Sequence, residues 1–231
     1  MPEIRKLQGK HPSNLPGLGF GQFFFKDRPE HVALIGKCLM TWPVAEASMA
    51  VLLATLLRAD TDSIIAVYQL LRRSTAKHAA VEQAATHALD AAGHDLIKAL
   101  LSHSQSVERD RNDLAHAFWG ICFEIDDGIA WVPQEHMTLT HVDYYRALVK
   151  DQKPAADEKI SEKLRESTFV YRKSDLQAIY QRINDLVFIT NEFRAQISRL
   201  KGPAPITLPP QSMDVLKSFS QIQEVLKLQK M

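Results

Sequence analysis

The sequence predicts a mainly α-helical bundle of four to five core helices, with a short β-hairpin inserted before the last bundle helix. Three observations carry this reading. Apolar residues recur at spacings of three and four through most of residues 27–200. Helix-start signals stand at the expected places: Asp27-Arg28-Pro29-Glu30 and Ser174-Asp175-Leu176-Gln177. Ile121–Asp126 and Ile129–Pro133 flank Asp127-Gly128, a two-residue type I′ signal.

In chain order, residues 1–26 form an N-terminal arm rich in Pro, Gly and basic side chains. Its Phe20, Phe23, Phe24, Phe25 cluster is too apolar for a free tail and is expected to dock. The helical domain covers 27–200, with the hairpin at about 120–134. Asp27 is read as the N-cap of a first helix running to Leu57, kinked at Pro43. Cys38–Leu57 is long enough to span a bilayer. Glu46 near its centre would cost several kcal/mol in lipid, so a central buried helix is the favoured reading. A buried carboxylate needs a partner, and Arg111 is the candidate cation; alternatively Glu46 orients Arg111 or His116 as a supporting group.

A capped turn at Ala59–Ser63 starts a second helix, ending near Arg73. Ser74 caps a third, through about Ala91, and Gly93 breaks it before the next begins near His94-Asp95. His78, His87, His94 and His103 are not spaced as metal ligands and read as surface or core histidines. Asp126-Asp127 is better explained by turn chemistry than by magnesium. Between Gln134 and Glu166 a helical turn is expected at Thr140–Lys150. The last bundle helix runs to Leu200, with Leu176, Ile179, Ile183, Leu186/Val187, Thr190, Phe193 and Ile197 on one face. Residues 201–231 are a Pro-rich linker and a C-terminal helix that packs back, joins a dimer or binds a partner.

Composition narrows the function. With 231 residues and 45% hydrophobic content the chain can bury a sizeable core, and a formal net charge of +1 excludes a general nucleic-acid coat. Two cysteines without a CxxC pair suit a reducing cytoplasm. No signal peptide, P-loop, GxGxxG or supported Ser-His-Asp arrangement is legible.

One stretch carries chemistry: Glu108-Arg109-Asp110-Arg111-Asn112-Asp113-Leu114-Ala115-His116-Ala117-Phe118-Trp119-Gly120. It reads as the end of a helix, with Val107, Leu114 and Phe118 as one stripe and Arg111 within about 40° of it. Asn112, His116 and Trp119 fall on the other side, and Gly120 is placed to cap the helix in a left-handed conformation. Arg73 and His78 have the same Arg-to-His spacing, but Ser74 follows that arginine where Asn112 follows Arg111.

Arg111-Asn112-x3-His116 resembles the Arg-polar-x(3–5)-His signature of the HEPN superfamily, over roughly residues 28–200. The Trp119-Gly120 pair and the hairpin resemble a group of uncharacterised bacterial HEPN-like proteins. In many of these helical domains two motif copies meet across a dimer interface and cut RNA. The resemblance implies a cytoplasmic homodimer acting as a metal-independent endoribonuclease, a toxin or defence effector with RNA as substrate and a cognate antitoxin as partner. It requires no cofactor and no metal.

The residue types suit that chemistry. An imidazole exchanges protons near neutrality, so His116 can serve as base for a 2′-hydroxyl or acid for the leaving oxygen. The guanidinium of Arg111 can hold two phosphate oxygens, and Asn112 can orient the imidazole or the phosphate. Arg111 and His116 project about 140° apart on one helix, so two copies facing each other are expected to complete the site, with Trp119 at the dimer seam. The alternative is a catalytically inactive dimeric interaction module, in which Arg111 pairs with Glu46, Asn112 caps or bridges helices and His116 lies at a subunit contact.

Overall fold

The computed structural model describes residues 5–6, 18–123, 125–149, 164, 166–200 and 204–228. The chain divides into two compact units: Met1–Leu39 with Asp110–Tyr180, and Met40–Arg109 with Gln181–Met231. This division cuts across the expected one at 1–26, 27–200 and 201–231. Described pieces of the arm, two strands and most of a 3-10 helix, belong to the first unit, and the C-terminal helices belong to the second. The architecture is mainly helical with a small antiparallel sheet.

Eight α-helices are present among the described residues: α1 Pro29–Leu57, α2 Thr61–Leu70, α3 Ser74–Ala88, α4 Ala91–His116, α5 Gln134–Val149, α6 Lys173–Ser198, α7 Pro210–Ser218 and α8 Ser220–Leu228. The strands are β1 Arg5–Lys6, β2 Leu18–Phe20, β3 Ala117–Cys122, β4 Ile129–Pro133 and β5 Phe169–Tyr171. Helices α1, α4 and α6 contribute residues to both units.

In the first unit the strands form an antiparallel sheet in the order β1-β5-β4-β3-β2. The arm thus supplies both outer strands, where a surface arm docking through its phenylalanine cluster was expected. The Phe23 and Phe24 side chains lie outside the described residues. A 3-10 helix over Gln22–Asp27 follows β2, so Asp27 ends that turn and Pro29 opens α1, one residue later than the expected Asp27 cap implies. Arg28 then ties the helix start to the hairpin loop: Nε donates to the Gly128 carbonyl at 3.1 Å and Nη2 to the Ile125 carbonyl at 2.9 Å.

Two expectations for the motif stretch are corrected. α4 ends at His116, and Ala117–Cys122 is strand, so Phe118, Trp119 and Gly120 are not helical. Gly120 is no left-handed cap; it pairs with Ala130 on one side and Phe20 on the other. A Cβ there would lie 2.2 Å from the Gly19 carbonyl oxygen and 2.7 Å from Phe20 Cδ1. Glycine is needed for close approach of β2. The alternation that made Phe118 look like part of a helical stripe belongs to β3, where Phe118 is exposed and Ile121 buried.

The hairpin exists, with Trp119 opposite Trp131 and Gly120 opposite Ala130. Its turn is not type I′, because neither Asp127 nor Gly128 has positive φ. Residues 123–128 make a longer connection, in which a Cβ on Gly128 would crowd Ile125 and Val170 at 2.7 and 2.8 Å. His31 Nε2 lies 3.3 Å from Asp127 Oδ1, and Lys173 is paired with Glu30. Trp131 stacks on Tyr171 at 5.4 Å and on Phe169 at 4.8 Å, which builds an aromatic layer across β3, β4 and β5.

The second unit is helical. Asp60 caps α2, its side chain accepting from the Ser63 amide at 2.9 Å. α3 begins at Ser74 with Arg73 as its cap residue, not Ser74. The break before α4 falls at Leu89-Asp90 and not at Gly93: Gly93 is already in α4, its amide donating to the Asp90 side chain at 2.9 Å. Leu89 bridges Ile206 in parallel, with Ile206 N donating to the Ala88 carbonyl at 2.8 Å.

In α6 the apolar face is as read, with Leu176, Ile179, Ile183, Leu186, Thr190, Phe193 and Ile197 buried. The helix starts before the Ser174 cap read from sequence: the Arg172 amide donates to the Asp175 side chain at 2.8 Å, and the Asp175 amide donates to the Arg172 carbonyl, so the reciprocal side-chain half of a capping box is not formed. The C-terminal segment packs back within this unit as two helices. Ser212 donates to Gln196 at 2.8 Å, Gln221 donates to Asp185 at 2.7 Å, and Phe219 meets Phe188 edge-on at 5.8 Å.

Among the described residues α1 is the one helix long and apolar enough to cross a membrane, and half of its most apolar window is buried within the protein. Helix α5, Gln134–Val149, extends the helical turn expected at Thr140 back to the end of β4.

Candidate functional site

The C-terminal turn of α4 delivers Asn112, Asp113 and His116 to the wall of an open cavity of about 700 Å³. Ala117, Trp131 and Pro133 from the sheet and Gln134, Glu135, Thr138 and Leu139 from α5 complete it. That volume lies in the ordinary range of small-ligand sites, about 300–1,000 Å³. The helix register explains the grouping: residues i and i+4 share a face, and Asp113 joins His116 at i, i+3. His116 is exposed, and Asn112 and Asp113 are half-buried.

The site residues read from sequence are therefore partly assembled. Asn112 and His116 meet in one cavity. Arg111 neighbours Asn112 on α4 but, among the described residues, is not part of the lining. Trp119 lies on β3, half-buried, tilted against Trp131 at 6.5 Å and Tyr171 at 6.3 Å.

Glu46 belongs to the helical unit. Its Oε1 accepts from Lys77 Nζ at 2.7 Å, so the cation found for it is a lysine of α3, where Arg111 had been the candidate. Lys77 also stands 5.1 Å above the Tyr68 ring. Both line a small second cavity with His78, Ser104 and Glu108, and His78 Nε2 lies 3.2 Å from Ser104 Oγ.

Asp113 was missed as a site residue. Burial holds its carboxyl above the usual carboxylate range. It makes no hydrogen bond or ion pair with another described residue. Its position three residues before His116 was a signal present in the sequence. Trp131 and Leu139 could not be found that way, because only the pairing of β3 with β4 and the turn into α5 bring them to α4. Behind the cavity, burial and then the negative charge of Asp113 push the Tyr171 hydroxyl far up, so it stays neutral. No group of three or more His, Cys, Asp or Glu arranged for a metal occurs among the described residues.

The arrangement supplies an imidazole, a carboxamide and a carboxyl at the mouth of an apolar recess. Such a set can move a proton and orient a ligand without further groups. No protein-family model matches the chain, no curated protein matches it, and no solved structure matches it.

Proposed function

We propose that this protein is a metal-independent endoribonuclease of HEPN type, acting in the cytoplasm as a homodimer. The observation that carries the reading is the convergence of Asn112 and His116 on a cavity of nucleotide size. His116 exchanges the proton of the 2′-hydroxyl or of the leaving 5′-oxygen, and Asn112 orients the phosphate or the ring. Among the described lining residues there is no lysine or arginine. A phosphorane needs a cation, and Arg111 of a second copy fills that role, because one helix sends its arginine and its histidine in different directions.

The products are a 2′,3′-cyclic phosphate and a free 5′-hydroxyl. Purified protein is expected to cut single-stranded RNA in EDTA, with His116→Ala and Arg111→Ala each lowering the rate at least about a hundredfold at unchanged melting temperature. Intact RNA after incubation with folded wild-type dimer overturns the proposal.

A second reading, a catalytically silent interaction module, is favoured by exposed apolar side chains of the first unit. Phe118, Phe123 and Leu139 are 40%, 55% and 52% exposed. It predicts that the wild type never cuts and that His116→Ala weakens dimerisation. Toxin behaviour and a cognate antitoxin follow only from the resemblance; equal recovery of wild-type and His116→Ala expression plasmids counts against toxicity.

A further inference from the structure

We propose that the cavity at the end of α4 receives a guanine base, with Asp113 as the residue that reads it. The inference rests on the nuclease reading for its chemistry and on the cavity for its base.

Two carboxyls, Asp113 and Glu135, line the recess, and no described lysine or arginine joins them. Like charges close together in a partly buried site repel, so the recess itself suits an uncharged group of the substrate, and the phosphate is left to the exposed His116. Trp131, Pro133 and Leu139 give it apolar walls fit for the faces of a planar ring.

The hydrogen-bonding groups then choose among the bases. A carboxylate accepts only, at two oxygens side by side. Guanine alone presents two adjacent donors, N1–H and the N2 amino group, on its pairing edge. Adenine and cytosine pair one donor with a ring-nitrogen acceptor, and uracil flanks its one donor with two carbonyls. A carboxylate set against either of those acceptors is repelled, whereas two charge-assisted bonds hold guanine.

Asp113 meets the requirement for a reader. It is half-buried, lines the cavity, and has no hydrogen-bond donor among the described residues. Burial leaves its charge under-solvated, so a pair of donors from a ligand satisfies a demand that the protein itself does not meet. Trp131, 4% exposed, contributes its ring to the same lining.

The test uses the full-length protein and four nucleosides: guanosine, inosine, adenosine and uridine, titrated calorimetrically at neutral pH. Guanosine is expected to bind at least about tenfold more tightly than adenosine or uridine, with inosine, which lacks the N2 amino group, between them. Asp113→Asn is expected to lose about tenfold in guanosine affinity while uridine binding is unchanged, at an undiminished melting temperature. Equal affinity for all four, or a full guanosine preference in Asp113→Asn, overturns the inference. Mapping cut sites in RNA separates the two readings. Cutting without preference for guanine sinks the base assignment and leaves the nuclease. Guanosine-selective binding with no cutting sinks the nuclease and leaves the pocket. Neither binding nor cutting sinks both.

Discussion

Asp113 and His116 stand three residues apart on the final turn of α4 and open onto one cavity, the carboxyl half-buried and the imidazole exposed. That pairing puts a group needing donors beside a group able to move a proton. Burial, moreover, makes Asp113 costly to keep ionised. Its folded pKa is raised, so the native state holds its proton more tightly than the unfolded chain does. Stability therefore falls as pH rises from the unfolded value through the folded one, and the penalty is complete above the latter. Asp113→Asn is expected to unfold at equal or higher urea concentration than wild type at pH 7, and at the same concentration near pH 3. A clear loss of stability at pH 7 would show that the carboxylate has stabilising partners.

His103 gives the opposite dependence. It is buried, and burial, helped by the nearby Arg182 charge, lowers its pKa from 6.5 to about 4. The unfolded chain takes up the proton first, so stability present above pH 6.5 is lost as pH falls toward 4. The loss is on the order of 3 kcal/mol. His78 is shifted the same way by burial and adds to the effect. His103→Leu is expected to flatten the urea-midpoint profile between pH 7 and 4.5; an unchanged slope counts against this account.

Gly120 is fixed by the approach of β2. Gly120→Ala drives a methyl into the Gly19 carbonyl, a backbone atom that moves only with its strand. A loss of about 1–3 kcal/mol is expected from denaturant unfolding. If alanine is tolerated without loss, β2 does not pack as described.

Glu46 and Lys77 form a part-buried ion pair. Each single change, Glu46→Gln or Lys77→Met, is expected to cost about 1 kcal/mol, discounted for the partial exposure of Glu46. The double variant should cost less than the sum of the two. Full additivity would mean that the pair contributes nothing as a pair.

Much of this architecture was legible in the sequence, for physical reasons that can be named. The α6 face was readable because seven buried positions keep strict helical spacing, and β4 was readable because Ile129–Val132 is apolar between turn residues. The end of α4 was not. Leu114 and Phe118 satisfy a helical i, i+4 relation although Phe118 is on a strand, and Gly120 mimics a cap while serving a cross-strand contact. The strands of the arm were invisible because two or three residues carry no period, and only their partners β5 and β3 define them. In the site, Asn112 and His116 were found from spacing. Asp113 went unnoticed beside the motif, and Trp131 required the sheet register. The partner of Glu46 could not be derived, since nothing in local pattern distinguishes Lys77 from Arg111.

The central claim is that Arg111 of one copy and His116 of another serve the same phosphate. Its most direct measurement is cleavage by a mixture of the Arg111→Ala and His116→Ala proteins, each inactive alone, after co-refolding into mixed dimers. A site shared between copies regenerates one intact Arg111–His116 pair in every mixed dimer. With random pairing, about a quarter of the wild-type rate is expected, since half the dimers are mixed and each carries one of two sites. A mixture of folded, exchanged dimers as inactive as either variant alone contradicts the account.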